Sequence, residues 1–221
     1  MTVLFHVAGN AHVSHAPERA TVTVQIAVTD TESGAAYESA VAYHNEVVAV
    51  AKERESSGAV VSWEAEAPTS YSYRDHFSSP DGESSARTVY ATRTVIRIVF
   101  QDFSAMGRLL ADFSDNEFTA ITVSWDLTEE TRMELERSVR IQAVQNARRL
   151  AEDYAEGDGI SATKENLLLE SISDHRDSSN FGGATPRVAA ATRSLAPVAE
   201  FSPREITVSA SVSAVYRALE V

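Results

Sequence analysis

An α+β fold is what the sequence predicts: antiparallel sheet covered on one face by helices, arranged as two related β-α-β halves. Three observations carry that reading. Val22, Val24, Ile26 and Val28 alternate with Thr21, Thr23, Gln25 and Thr29, the period-2 pattern of a half-buried strand. From Thr128 the segment TEETRMELERSVRIQAVQNARRLAEDYAEG places apolar residues three and four apart and stops at Gly157, as an amphipathic helix does. Predicted strands also follow one another as neighbours, and one-face alternation of this kind favours antiparallel pairing.

The elements follow in order. Val3, Phe5 and Val7 alternate up to Gly9, and a polar turn closed by Pro17 leads into the strand at Val22. Asp30 or Ser33 is expected to cap a helix whose inner face is Tyr37, Ala40, Val41, His44, Val47, Val48 and Ala51, broken at Gly58. Val61, Trp63, Ala65 and Ala67 predict a strand with Glu64 and Glu66 on its other side. Thr94, Ile96, Ile98 and Phe100 predict another, and the polar stretch YSYRDHFSSPDGESSAR between them reads as a long exposed loop. Ser104 should cap a short helix burying Met106, Leu109, Leu110 and Phe113.

Phe118, Ile121, Val123, Trp125 and Leu127 then lead into the long helix. Its stripe is expected to be Val139, Ala143, Ala147, Leu150, Ala151 and Tyr154, with Glu129 and Glu130 favourably placed in the first turn. Leu167 to Ile172 reads as a strand. Residues 174–203 read as a mobile insertion, poor in large apolar residues and holding three of the chain's six prolines. The closing strand buries Ile206, Val208, Ala210, Val212, Ala214 and Tyr216 and turns Thr207, Ser209, Ser211 and Ser213 outward.

The 221 residues are 43% hydrophobic and 23% charged, enough for one domain with a sizeable core. A net charge of -13, with no Lys/Arg stripe, argues against a nucleic-acid partner. With no cysteine, disulfides, thiolate catalysis and zinc–thiolate or iron–sulfur sites are excluded. No run reaches the roughly 20 apolar residues of a membrane-spanning helix. MTVLFHVAGN lacks the parts of a signal peptide, so a cytoplasmic location is expected, or an exported one if the natural chain begins earlier.

Several of these stretches, in this order, resemble the SIMPL-domain family, a bacterial group. They are V-A-G-N-A at Gly9, Pro17-Glu18-Arg19-Ala20, Tyr90-Ala91-Thr92, the SWDLTEE turn at Ser124 to Glu130, Ala143/Ala147/Leu150/Ala151, and the ending I-T-V-S-A-S-V-S-A-V-Y. The resemblance runs from Val3 to Leu219. Ala11 stands where the family usually has a second glycine, and Gly157-Asp158-Gly159 replaces a single-glycine helix stop. It implies a non-enzymatic α+β module that forms homo-oligomers, with loose links to stress and envelope physiology and no catalytic residue set.

Candidate chemistry is sparse. His6, His12 and His15 supply imidazoles for a metal, but no nearby carboxylate has ligand spacing. Glu64 and Glu66 form an acid/base pair for a hydrolase only if an electrophile accompanies them; solvent-facing strand carboxylates are commoner. Gly157-Asp158-Gly159 lacks a calcium ladder, Gly182-Gly183 has no strand before it, and Arg148-Arg149 has Glu152 one turn on as an ion-pair partner. No catalytic, cofactor-binding or metal residue is assigned.

Two features point to recognition. The neutral hydroxyl faces Thr207/Ser209/Ser211/Ser213 and Thr21/Thr23/Gln25/Thr29 lack the Lys and Glu usual on solvent-facing strands, which favours a self-associating scaffold, a homo-oligomer. Tyr71, Tyr73 and Phe77 cluster in the polar loop, which favours a small-ligand pocket beneath it as the alternative.

Overall fold

A strand reaches its full length only when a partner satisfies its backbone, and the first strand has one at the far end of the chain. In the computed structural model, which describes residues 2–78, 84–113, 118–163, 166–175 and 202–219, β1 (Thr2–His15) pairs antiparallel with β8 (Ile206–Leu219) along its whole length. β7 (Leu167–His175) pairs with the other edge of β8, completing a three-stranded sheet in the order β1-β8-β7. Gly9 therefore lies mid-strand and does not end the strand. His12 and His15, expected in a turn, are strand residues.

α3 (Glu129–Gly157) covers one face of this sheet. Thr128, where the helix is expected to begin, caps it: its hydroxyl accepts the backbone N–H of Thr131 at 3.2 Å. The buried stripe is Val139, Ala143, Ala147, Ala151 and Ala155. Residues four apart drift slowly around a 3.6-residue helix, so Ala155 takes the inner place expected of Tyr154, which is exposed. The alanines allow close approach, and Gly9 completes it. A β-carbon built on Gly9 would stand 2.0 Å from the Ala143 carbonyl oxygen and 2.7 Å from the Ala147 methyl. Opposite them, Val7, Ala11, Val208, Val212, Ala214, Tyr216 and Leu167 fill the core of this unit.

The second unit is a separate antiparallel sheet in the order β3-β5-β2-β6, with β4 also pairing β5. Its strands are β2 (Arg19–Asp30), β3 (Val60–Ala65), β4 (Thr69–Ser78), β5 (Ser84–Phe100) and β6 (Thr119–Asp126), with helices α1 (Ala35–Ser56) and α2 (Phe103–Phe113). Val22, Val24, Ile26, Ile96, Ile98 and Phe100 face Ala40, Val47, Ala51, Met106 and Leu109 in its core. The two compact units do not correspond to sequential halves, because the first draws on both ends and the middle of the chain. The architecture is α+β, as predicted.

Local corrections have local causes. The segment read as a loop forms β4 and the start of β5: Tyr71, Tyr73 and Phe77 sit at alternate positions, and Thr69 to Ser78 pair with Arg93 to Ser84. α1 is capped at Gly34, whose φ of 90° suits glycine, while Asp30 spends its carboxylate on the N–H of Glu32. α2 is capped by Asp102, not Ser104; its Oδ1 accepts the N–H groups of Ser104 at 2.8 Å and Ala105 at 3.1 Å. Asp174 and His175 belong to β7, and residues 176–201 of the expected insertion lie outside the described residues, as do Gly182 and Gly183.

Candidate functional site

Along β5 the core-facing side changes character. Phe100, Ile98 and Ile96 are apolar, but the next inward positions are Thr94, Thr92 and Tyr90. Thr94 donates its hydroxyl proton to the Glu66 carbonyl at 2.8 Å. That leaves its oxygen as acceptor for His44 Nδ1 at 3.0 Å, so the network assigns the His44 proton to Nδ1. Thr92 is only 1% exposed and shares a 2.8 Å hydrogen bond with the Ser70 hydroxyl across the β4–β5 pair.

Where the apolar side ends, a cleft of about 450 Å³ opens between the start of α1 and the β4–β5 pair. Ser33, Gly34, Ala36 and Tyr37 line it from the helix side; Ser70, Tyr71, Ser72, Tyr90, Ala91 and Thr92 line it from the strands. None of the ten carries a charge. Strand alternation puts Ser70, Ser72, Tyr90 and Thr92 on the helix-covered face. Tyr71 and Tyr73 alternate to the opposite face, their rings 6.2 Å apart, with the Arg93 guanidinium 5.5 Å from the Tyr71 ring. On the helix-covered side the aromatic surface of the cleft thus comes from Tyr37, 50% exposed, and from Tyr90, with Tyr71 at its border.

This relocates the pocket expected at Tyr71, Tyr73 and Phe77. Tyr71 borders the cleft, Tyr73 does not, and the Phe77 side chain lies outside the described residues. Tyr37 was missed because its spacing reads as core, and Tyr90 because it precedes the apolar run taken as the strand. The switch from apolar to hydroxyl residues on the inner side of Tyr90-Ala91-Thr92-Arg93-Thr94 was the available signal.

The other candidates separate. Glu64 and Glu66 both meet Arg97, whose Nη1 is 3.7 Å from one carboxylate and 2.9 Å from the other. They are exposed ion-pair partners away from the cleft. His6 and His12 are six residues apart on β1, roughly 20 Å at the strand rise. His15, at odd spacing from His12, faces the other way and spends Nδ1 on the Ala16 carbonyl at 2.7 Å. The three do not converge on one ion, and among the described residues no cluster of metal-ligating side chains occurs.

Arg148 Nε donates to Glu152 at 2.8 Å, as the spacing predicts. Beneath this pair, burial pushes the Tyr216 hydroxyl above its ordinary pKa of 10.0; the Arg148 guanidinium pulls it back and the Glu152 carboxylate adds to the rise. Gly157 and Asp158 end α3, and Gly159 takes the left-handed turn at φ 78°.

Among the described residues of this unit, no helix covers the other face of the β1-β8-β7 sheet. There Leu4, His6, Ala8, Asn10, His12 and Ser14 of β1 oppose Arg217, Val215, Ser213, Ser211, Ser209 and Thr207 of β8. Arg217 pairs with Glu170 at 2.9 Å. Ser14 and Thr207 join their hydroxyls at 3.1 Å. The corresponding face of β2 is less neutral, since Thr23 and Ala27 oppose Arg97 and Arg93.

A family model described as SIMPL, protein of unknown function (DUF541), matches residues 5–216. The chain belongs to the SIMPL family. In this SIMPL protein the match begins at Phe5 and ends at Tyr216, which are paired residues of β1 and β8. No curated protein gives a significant match to the SIMPL chain. Among its described residues no helix is long and apolar enough to cross a membrane.

Proposed function

We propose that this SIMPL protein is a non-catalytic, self-associating scaffold whose open β1-β8-β7 face packs against a second copy. The supporting observation is the composition of that face. Ser, Thr, Ala and Asn fill most of the β1 and β8 positions, and the ion pair Arg217–Glu170 is internally neutral. In a chain of net charge -13, a neutral face is the place where two copies meet with least repulsion. Small side chains also permit close sheet-on-sheet packing.

Size is adequate. Strands of this length and number present about 600 Å² per copy, so a pair buries about 1,200 Å², the lower end of stable interfaces. Light scattering on the full chain tests the reading: a mass at a multiple of 24.0 kDa is expected. A monomer at working concentration overturns it.

A further inference from the structure

The cleft between α1 and the β4–β5 pair has the chemistry of a different kind of site. Its ten lining residues include three tyrosines, three serines and a threonine, and no charge. In a protein with 51 charged residues among 221, formed by 32 acidic and 19 basic ones, that composition selects the ligand. A charged molecule entering it would shed water without meeting a counter-charge. A purely apolar one would cover the exposed hydroxyls of Ser70 and Ser72 without replacing their hydrogen bonds to water.

A neutral, polyhydroxylated ligand meets both conditions. Serine, threonine and tyrosine hydroxyls each donate and accept, and so does every hydroxyl of a sugar. The apolar C–H face of a pyranose ring, for its part, fits a flat tyrosine surface. The rings of Tyr37 and Tyr90 come from α1 and β5 respectively, while Gly34 contributes no side chain to close the mouth. At about 450 Å³ the cleft lies in the range of small-molecule pockets and holds a sugar of one or two rings.

We infer that this cleft binds a short neutral saccharide, with Tyr37 and Tyr90 supplying the stacking surface and Ser70 and Ser72 the hydroxyl contacts. The inference is independent of the self-association reading, which concerns the other unit.

Saturation-transfer NMR on the full chain tests it, using cellobiose, maltose, lactose and N,N′-diacetylchitobiose as probes and glucose 6-phosphate as the charged comparison. At least one neutral disaccharide should bind with a Kd of about 1 mM, as suits an open cleft. Tyr37→Ala, at an exposed position, should weaken it about tenfold or more. Ser72→Trp should block it by filling the cleft. Circular dichroism verifies that both variants fold. No transfer to any neutral disaccharide, transfer that survives both substitutions, or tighter binding of glucose 6-phosphate overturns the inference.

Discussion

Gly9 and Ala147 touch so closely that neither position tolerates enlargement: a β-carbon on Gly9 would stand 2.7 Å from the Ala147 methyl and 2.6 Å from its backbone nitrogen. The Ala143 carbonyl oxygen is nearer still, at 2.0 Å. Backbone atoms cannot rotate away, so α3 would have to lift from β1. Gly9→Ala is expected to destabilise the protein by about 3 kcal/mol, the upper part of the usual overpacking range. Ala8→Ser, one residue away on the exposed face, should be nearly neutral. Urea unfolding of the two variants checks the contrast, and similar stabilities would refute the close-packing account.

The Thr128 cap stabilises α3 through one side-chain oxygen, which meets the Thr131 N–H. Thr128→Ala should cost about 1 kcal/mol, and Thr128→Ser should restore most of it. Thermal unfolding by circular dichroism is the measurement.

Asn166 closes the turn into β7 with its whole amide. Its Oδ1 accepts the Thr163 N–H at 2.6 Å and the Thr163 hydroxyl at 2.9 Å, while its Nδ2 donates to the Ser161 carbonyl. The residue is buried, and Asn166→Ala removes all three hydrogen bonds that hold the turn, so it should cost about 2 kcal/mol. Asn166→Asp keeps the acceptor but sets an oxygen against the Ser161 carbonyl, and no rescue is expected. Chemical denaturation of both variants decides this.

Tyr216 gives the fold an alkaline limit. Its hydroxyl ionises later in the folded protein than in the unfolded chain, because burial disfavours the phenolate. The associated stability is complete below about pH 10 and is lost as pH rises through 10 and beyond, since the unfolded chain releases its proton first. In a titration of tyrosinate absorbance, Tyr216 should ionise after ordinary tyrosines. Tyr216→Phe should remove that late step and flatten the decline in stability at high pH. A late step unchanged in Tyr216→Phe would exclude this assignment.

On the open face of the β1-β8-β7 sheet, Ser209→Glu with Ser213→Glu places carboxylates where two copies are proposed to meet. Both serines point away from the core, so the fold should be retained, while repulsion across the interface lowers the mass seen by light scattering. An unchanged mass would move the interface elsewhere.

Legibility in the sequence followed the range of the interaction. The start of α3 at Thr128, its stop at Gly157, the Arg148–Glu152 pair and the two faces of β8 were readable because each depends on neighbours within about one helical turn or on strand alternation. Tyr154 and Tyr37 were misplaced because apolar spacing tells which residues are able to face a core, not where the opposing sheet ends. The β4–β5 pair was hidden because its polar residues resemble a loop until a partner strand satisfies their backbone groups.

The same division holds for function. By itself the sequence determined the α+β class, the likeness to the SIMPL family and the neutrality of the outer strand faces, all properties of composition and order. Tertiary structure decided that β1 closes against β8, some two hundred residues away, that Gly9 admits α3 to backbone contact, and that Tyr37 and Tyr90 meet at one cleft. These are distances between remote parts of the chain, set by which register lets both the core and the backbone hydrogen bonds be satisfied together.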